Sequence, residues 1–247
     1  MIPENRVVTQ QAIIEHGADW GIAWDGDFDR CFLFDQQGQM IEAYYVVALL
    51  ARAMLVKHPN AVIVYDPRLI WNTEQAIKEH HGQGVVARSG HSFIKAAMRQ
   101  ARAVFGGESS AHYYFKTFGY CDSGMIPWLL VLDLLQTQQV ALHTLVAQDK
   151  QLYPCSGERN YQVIDQHKAL LALEDVFAPD AIALDRTDGT SFLFERWRFN
   201  VRSSNTEPLL RLNVETKADH ELLMQVVEQI EGVLMPLIRS VDEPSNV

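Results

Sequence analysis

The sequence predicts an α/β fold in three parts: a partial α/β domain, a mixed α/β layered domain, and a small α+β domain. Three observations lead there. From residue 41 to about 153, short apolar runs alternate with longer helical patterns, as in layered strands and helices. Around Tyr153-Pro154-Cys155-Ser156-Gly157 the pattern changes, and strands then follow one another with helices set apart. Before residue 41, only one helix and one strand precede an acidic loop, too little to complete a layer. The expected domains are residues 1–40, 41–153 and 154–247.

Helical spacing runs from Val8 to His16, and Gly17 is the expected stop. Gly21–Trp24 reads as a strand that delivers the acidic loop at its carboxyl end, where open α/β sheets bind ligands. Cys31–Phe34 resumes the strand before a polar turn at Asp35–Gly38. Ile41–Lys57 is an apolar helix ended by Pro59, and Ala61–Tyr65 is a buried-type strand. Asn72 is the expected cap of a helix reaching about His81. Val85–Ala87 reads as strand, His91–Arg102 as helix, and Val104-Phe105 as a strand entering Gly106-Gly107-Glu108. Ser123 to about Leu135 is helical, with Pro127 tolerated in its first turn. This alternation implies a largely parallel sheet. Beyond the boundary come a helix at Gln166–Val176, a strand at Ala181–Leu184 and a turn at Asp185–Gly189. Strands at Ser191–Glu195, Trp197–Val201 and Leu209–Glu215 precede a helix from Asp219 to about Leu234.

Composition narrows the function classes. Hydrophobic residues make up 48% of the 247 and charged residues 21%, ordinary for a globular protein with a sizeable core. A net charge of −10 disfavours nonspecific binding to nucleic acid or anionic membrane. The three cysteines, Cys31, Cys121 and Cys155, form no C-x-x-C pair, so neither a cysteine zinc site nor a disulfide framework is implied. Met1 to Arg6 lacks the apolar run of a signal peptide, and no apolar stretch is long enough to span a bilayer. A reducing cytoplasm, with no membrane and no nucleic acid partner, is the expected setting.

Four segments carry candidate chemistry. In Asp25-Gly26-Asp27-Phe28-Asp29-Arg30, alternate carboxylates point to one side and repel unless a cation joins them. Oxygen-only ligands favour a hard dication such as magnesium, and the fork of Arg30 suits a phosphate beside it. An EF-hand is excluded, because its sixth and twelfth positions are here Arg30 and Gln36 rather than Gly and Glu. A haloacid-dehalogenase phosphatase with Asp25 as nucleophile is a rival, and a solvated acidic turn is the plain alternative. In Gly106-Gly107-Glu108-Ser109-Ser110-Ala111-His112, small residues admit a ligand close to the backbone. Glu108, Ser110 and His112 alternate, and their mixture of donors and acceptors suits sugar hydroxyls; a polar loop with a structural histidine is the alternative. Arg202-Ser203-Ser204-Asn205-Thr206-Glu207-Pro208, with Arg211 just beyond, has the parts of an anion nest or of an ordinary turn. Arg88-Ser89-Gly90-His91 also opens a helix that could receive an anion, His91 being otherwise a cap neighbour.

Taken in order, DGDFDR, GGESSAH and RSSNTEP resemble the metal, sugar and phosphate loops of the α-D-phosphohexomutases, most closely their bacterial phosphomannomutase branch. YDPRLIWNT, RSGHSFIK, YCDSGMIPWLL and DRTDGTSF are similar to the same family. The resemblance implies that Asp25, Asp27 and Asp29 bind Mg2+ and that Arg30 lies beside a phosphoserine. It implies that Glu108 and Ser110 hold sugar hydroxyls, with His91 and His112 lining the same cleft. Arg202, Ser204, Asn205 and Thr206, with Arg211 nearby, would grip the phosphate of a hexose phosphate that is not being transferred. The family's last domain has an antiparallel sheet backed by helices. Its reaction passes a phosphoryl group from phosphoserine to the sugar phosphate and takes the other one back after the bisphosphate turns around.

Two departures stand out. No Thr-Ala-Ser-His-Asn-Pro-like phosphoserine loop occurs, so the expectation is the carboxyl-terminal half of a mutase, inactive alone, with a separate amino-terminal half as a partner. Residues 1–40 are then a remnant of a second α/β domain and are expected to be poorly held. Arg88 and Ser109 stand where relatives often carry Lys and Met. Phosphoglucomutase, phosphoglucosamine mutase and a noncatalytic sugar-phosphate-binding module are the alternatives.

Overall fold

The computed structural model describes residues 3–204 and 209–238. The chain divides into two units, Met1–Gln151 and Leu152–Val247. In the first, α1 (Val7–His16) ends at Gly17, whose left-handed φ of 58° returns its N–H to the last-turn carbonyls. A hairpin follows: β1 (Trp20–Trp24) pairs antiparallel with β2 (Cys31–Asp35), in register from Trp20↔Asp35 to Trp24↔Cys31. The acidic loop is the connection of this hairpin.

The layered part then runs α2 (Ala43–Lys57), β3 (Val62–Tyr65), α3 (Trp71–Glu79), β4 (Gln83–Val86), α4 (His91–Ala101) and β5 (Phe105–Gly107). It continues with β6 (Tyr113–Phe115), β7 (Cys121–Asp122), α5 (Met125–Gln138) and α6 (Leu142–Leu152). The sheet order is β4-β3-β5-β6-β7. β3 is parallel to β4 and β5, whereas β5-β6-β7 is antiparallel. The expected parallel character therefore holds for only half of the sheet, for a simple reason. Parallel neighbours need a crossover of a dozen or more residues, which α3 and α4 supply. The short loop from Glu108 to His112 can only reverse the chain.

The fold class is the one the sequence predicts, with further local differences besides the sheet direction and the unread strand Cys155–Gln162. Asn72 lies inside α3 rather than at its cap, which is Ile70. Asn72 is fully buried, its N–H donating to the Tyr44 hydroxyl at 2.9 Å and its amide to Asp149 at 3.2 Å. Tertiary pairing has taken over the side chain that composition assigned to the helix end. Helix α6 was not read, although its buried Leu142 and Val146 lie i, i+4 apart on one face. Residues 20–35 are also better held than expected. All five residues of β2 are buried, Trp24 Nε1 donates to the Gly124 carbonyl at 2.8 Å, and the Gly124 N–H donates to the Phe28 carbonyl at 3.1 Å. Only α1 is loosely attached, burying Ile13 while Val8 and Ile14 stay exposed.

The second unit comprises β8 (Cys155–Gln162), α7 (Gln166–Phe177), β9 (Ala183–Asp185), β10 (Thr190–Leu193), β11 (Trp197–Ser203), β12 (Leu209–Thr216) and α8 (His220–Leu234). Its sheet, β8-β12-β11-β10-β9, is antiparallel throughout. Phe192, Phe199, Leu210 and Leu212 on the sheet pack with Leu173 of α7 and Ile230 of α8. Asp165 and Asp219 cap the two helices, accepting from the Lys168 and Leu222 N–H groups at 3.0 and 2.8 Å.

No single helix among the described residues is long and apolar enough to cross a membrane. The thiols differ in access. Cys31 is buried, which pushes its thiol up to about 12, whereas Cys121 and Cys155 are partly exposed. Titration with an aromatic disulfide at mildly alkaline pH is therefore expected to consume Cys121 and Cys155 promptly and Cys31 only after denaturation. Rapid reaction of all three would contradict the buried placement of β2.

Candidate functional site

The hairpin sequence sets the acidic loop. Gly26 tolerates the turn, the Phe28 N–H donates to the Asp25 carbonyl, and Phe28 sits at the tip with φ 64°. That conformation costs a non-glycine residue roughly 1–2 kcal/mol. The phenyl ring is exposed, 6.3 Å from the Trp24 ring. Asp25, Asp27 and Asp29 each offer an oxygen, and these atoms lie within 4.8 Å of one another. Arg30 folds back over them, its Nε 2.5 Å from Asp25 Oδ2 and 3.7 Å from Asp29 Oδ1. Burial opposes the charge on Asp25, but the amide and guanidinium of Arg30 outweigh it and hold the carboxyl below its usual range. Asp29 is raised instead, first by burial and then by Asp25 and Asp27, with His112 opposing.

Asp29 Oδ1 is buried and accepts no hydrogen bond among the described residues. A carboxylate oxygen without a hydrogen bond, beside two further carboxylates and only one guanidinium, fits a hard cation in addition to Arg30. The donors are all oxygen, so magnesium suits the set.

The hydroxyl-bearing loop reverses tightly between β5 and β6. The Ala111 N–H donates to the Glu108 carbonyl and the Glu108 N–H to the His112 carbonyl, both at 3.0 Å, with Ala111 at φ 70°. This turn brings Ser110 Oγ to 3.0 Å from His112 Nδ1, and His112 Nδ1 to 3.7 Å from Glu108 Oε2. It also joins the acidic loop. Arg30 and His112 form an antiparallel bridge, and His112 Nε2 lies 3.6 Å from Asp29 Oδ2. Burial lowers the His112 pKa against the pull of Glu108 and Asp29. His91 opens α4 after Gly90, its ring centroid 4.8 Å from that of His112, and its Nδ1 is 3.2 Å from Asp122 Oδ2.

Glu108 is only 2% exposed. It accepts from the Gly90 N–H at 2.8 Å and from the Tyr114 hydroxyl at 2.6 Å. A carboxylate has about four acceptor positions, so two remain for a ligand. Burial, followed by the Glu108 charge, keeps Tyr114 a neutral donor by raising its pKa.

In the second unit, Arg202 and Arg211 face each other across β11 and β12 and share Glu158, at 3.2 and 3.4 Å. The Nε of each is buried with no hydrogen-bond acceptor among the described residues. Ser204 closes β11 through its N–H to the Leu209 carbonyl at 2.8 Å. Gln166 ties the loop ends together by donating to the Ser204 and Leu209 carbonyls at 3.3 and 3.0 Å. Asn205 and Thr206 lie outside the described residues. In the first unit the structure thus brings together Asp25, Asp27, Asp29, Arg30, His91, Glu108, Ser110 and His112. In the second it brings together Arg202, Ser204 and Arg211.

Sequence reasoning missed the supporting residues. Asp66 and Arg68 form a buried pair at 2.9 Å. Asp66 also accepts the Ser109 N–H at 2.6 Å, and Arg68 reaches Ser110 Oγ at 3.3 Å. The available signal was an Asp at the carboxyl end of a buried strand, where ligand-supporting residues gather. Asp122, Lys95, Glu158 and Gln166 carried no comparable signal, because turns and helix faces hold such residues routinely.

Fold and site define an α/β protein that sets a loop of three carboxylates against the turn from Glu108 to His112 in its first unit, with two facing arginines in its second. The chain belongs to the phosphoglucomutase/phosphomannomutase family. Family models match residues 42–153 as "alpha/beta/alpha domain III" and residues 158–233 as the "C-terminal domain". It is 54% identical over 223 residues to a phosphomannomutase of Salmonella typhimurium, covering 90% of this chain and 49% of that protein. It is 52% identical over 234 residues to phosphohexose mutases of Xanthomonas campestris, covering 95% and 52%. A Burkholderia thailandensis phosphoglucomutase/phosphomannomutase family protein superposes with a TM-score of 0.79 at 26% identity, covering 95% of this chain and 50% of that one. The chain spans about half the length of the curated relatives it matches.

Proposed function

We propose that this chain carries the metal, sugar and distal phosphate sites of a phosphomannomutase that interconverts mannose 6-phosphate and mannose 1-phosphate. The observation that carries the reading is the bridge between Arg30 and His112, which seats the hydroxyl-binding loop directly against the acidic loop. Relatives named phosphomannomutase, 52–54% identical, support mannose as the sugar, beside others at 52% named phosphohexose mutases. Glu108 and Ser110 would orient two adjacent hydroxyls, and His91 and His112 would line the same cleft. Arg30 would receive the phosphate as it arrives, exchanging its present pairing with Asp25 for a charge-assisted fork. Magnesium held by Asp25, Asp27 and Asp29 would supply neutralisation of the phosphoryl charge. The cradle of Arg202, Ser204, Asn205, Thr206 and Arg211 would hold the phosphate that stays in place. The phosphoserine would come from a segment corresponding to the other half of the relatives, so this chain alone binds without turnover. A cytoplasmic setting suits a chain whose three described cysteines form no disulfide with one another.

Calorimetry with magnesium tests this. Mannose 1-phosphate and mannose 6-phosphate are expected to bind with similar affinity, free mannose not to bind, and neither phosphate to be converted or hydrolysed. Adding the phosphoserine-bearing half of the Salmonella relative is expected to restore interconversion. Release of inorganic phosphate that depends on Asp25 would replace this reading with a phosphatase. Failure of both sugar phosphates to bind would remove it.

A further inference from the structure

Beside the oxygen-only loop, the structure gathers a second set of ligand atoms of different character. Asp29, His91, His112 and Asp122 each present one nitrogen or oxygen, all within 4.8 Å of one another. We propose that these four side chains form a binding site for a borderline transition-metal dication of the zinc class, separate from the acidic loop except for Asp29.

The chemistry of the donors makes the distinction. Magnesium prefers oxygen and keeps water, whereas two imidazoles with two carboxylates suit zinc. Ligand atoms about 2.0–2.1 Å from a tetrahedral zinc stand about 3.3 Å apart. The observed pairs straddle that spacing: 3.2 Å between His91 Nδ1 and Asp122 Oδ2, and 3.6 Å between His112 Nε2 and Asp29 Oδ2. The ligands are already aimed from behind. His112 Nδ1 is engaged by Ser110 Oγ at 3.0 Å and lies 3.7 Å from Glu108, which turns Nε2 toward the cluster. Lys95 pairs with Oδ1 of Asp122 at 3.4 Å and leaves Oδ2 toward His91. The Asp122 side chain is only 7% exposed, yet its Oδ2 accepts no hydrogen bond among the described residues. A nearly buried Asp122 oxygen with an unfilled acceptor position, beside two imidazoles that each approach a carboxylate, suits a cation shared by all four side chains. The two aspartate charges would balance one dication. His91 is half exposed, which provides an entry path.

Titration with Co2+, followed by visible absorption in the absence of magnesium and sugar phosphate, tests the site. One equivalent of cobalt is expected to give the intense band of a four-coordinate centre, and one equivalent of Zn2+ to bleach it. Loss of an outer partner alone costs about 10–100-fold in metal affinity, so His91→Ala and Asp122→Asn should each weaken cobalt binding by at least about 100-fold. His91 is exposed enough that its truncation leaves the fold intact, and Asp122→Asn keeps the side-chain shape; circular dichroism checks both. Asp27→Asn removes an acidic-loop ligand only, and should leave the cobalt band in place while weakening magnesium binding. Absence of a band, or a band indifferent to His91→Ala and Asp122→Asn, overturns the proposal. So does a band lost in Asp27→Asn but kept in Asp122→Asn, which would put cobalt in the acidic loop.

Discussion

Arg68→Met is expected to destabilise the first unit by about 3–5 kcal/mol, the cost of stranding one member of a buried ion pair. The wild-type pair is nearly sealed, with side-chain exposures of 3% for Arg68 and 1% for Asp66. Asp66 would keep its N–H donors from Ser109 and Arg68, at 2.6 and 2.9 Å, but lose the only cation paired with it among the described residues. The double variant Asp66→Asn/Arg68→Met should recover part of the loss, because both charges of the pair then leave together while Glu108, 3.8 Å from Arg68, still loses its cation. Urea-dependent hydrogen exchange across residues 105–114 would read the effect where Arg68 supports the sugar loop. A loss below about 1 kcal/mol in the single variant would show that the pair is not the strut described here.

The same pair sets a pH dependence. Burial opposes ionisation of Asp66, but Arg68 and the Ser109 and Arg68 N–H groups overcome it, so the folded pKa lies below the usual value. A depressed folded pKa means that the unfolded chain binds the proton more tightly. The stabilisation is therefore fully present above about pH 4, the unfolded value, and is lost as pH falls through the folded pKa. In Arg68→Met only burial and the N–H groups remain, and burial favours the protonated acid. The gap between wild type and variant should hence be widest near neutral pH and shrink in acid.

The acidic loop was legible in the sequence because its information is local: three carboxylates at alternate positions and one arginine specify their own geometry. The same holds for Glu108, Ser110 and His112, which a five-residue reversal necessarily brings together. The direction of β6 and β7 was not legible, since nothing in Tyr113-Tyr114-Phe115 states which neighbour it pairs with; loop length decided that. β8 was missed because Cys-Ser-Gly-Glu-Arg-Asn-Tyr-Gln has almost no apolar face, being an edge strand whose partner β12 supplies the hydrophobic contacts. Asp66, Arg68 and Asp122 act through residues 40 or so positions away or on other elements. Their roles exist only once the sheet is assembled.

Arg202→Ala is expected to weaken binding of mannose 6-phosphate by about 100-fold. Among the described residues, Arg202 and Arg211 share a single carboxylate, Glu158, which leaves two guanidinium charges against one carboxylate. Each also has a buried Nε N–H with no acceptor among the described residues, a deficit worth about 1–3 kcal/mol that a phosphate oxygen would relieve. A guanidinium that gives a phosphate two charge-assisted bonds, at about 1.5–3 kcal/mol each, contributes at least about 3 kcal/mol, and each 1.4 kcal/mol is tenfold. Lysine offers a point charge without the planar fork, so Arg202→Lys should recover only part of the loss. Calorimetry with mannose 6-phosphate and with free mannose reads the effect, and the near-ultraviolet signal of Trp197, on the same strand, checks that the unit remains folded. Because the interaction is with the phosphate, the wild-type advantage should shrink as salt rises and be absent for mannose. Equal affinity of wild type and Arg202→Ala would mean that the buried N–H groups are satisfied by something other than substrate, and the cradle would lose its assigned role.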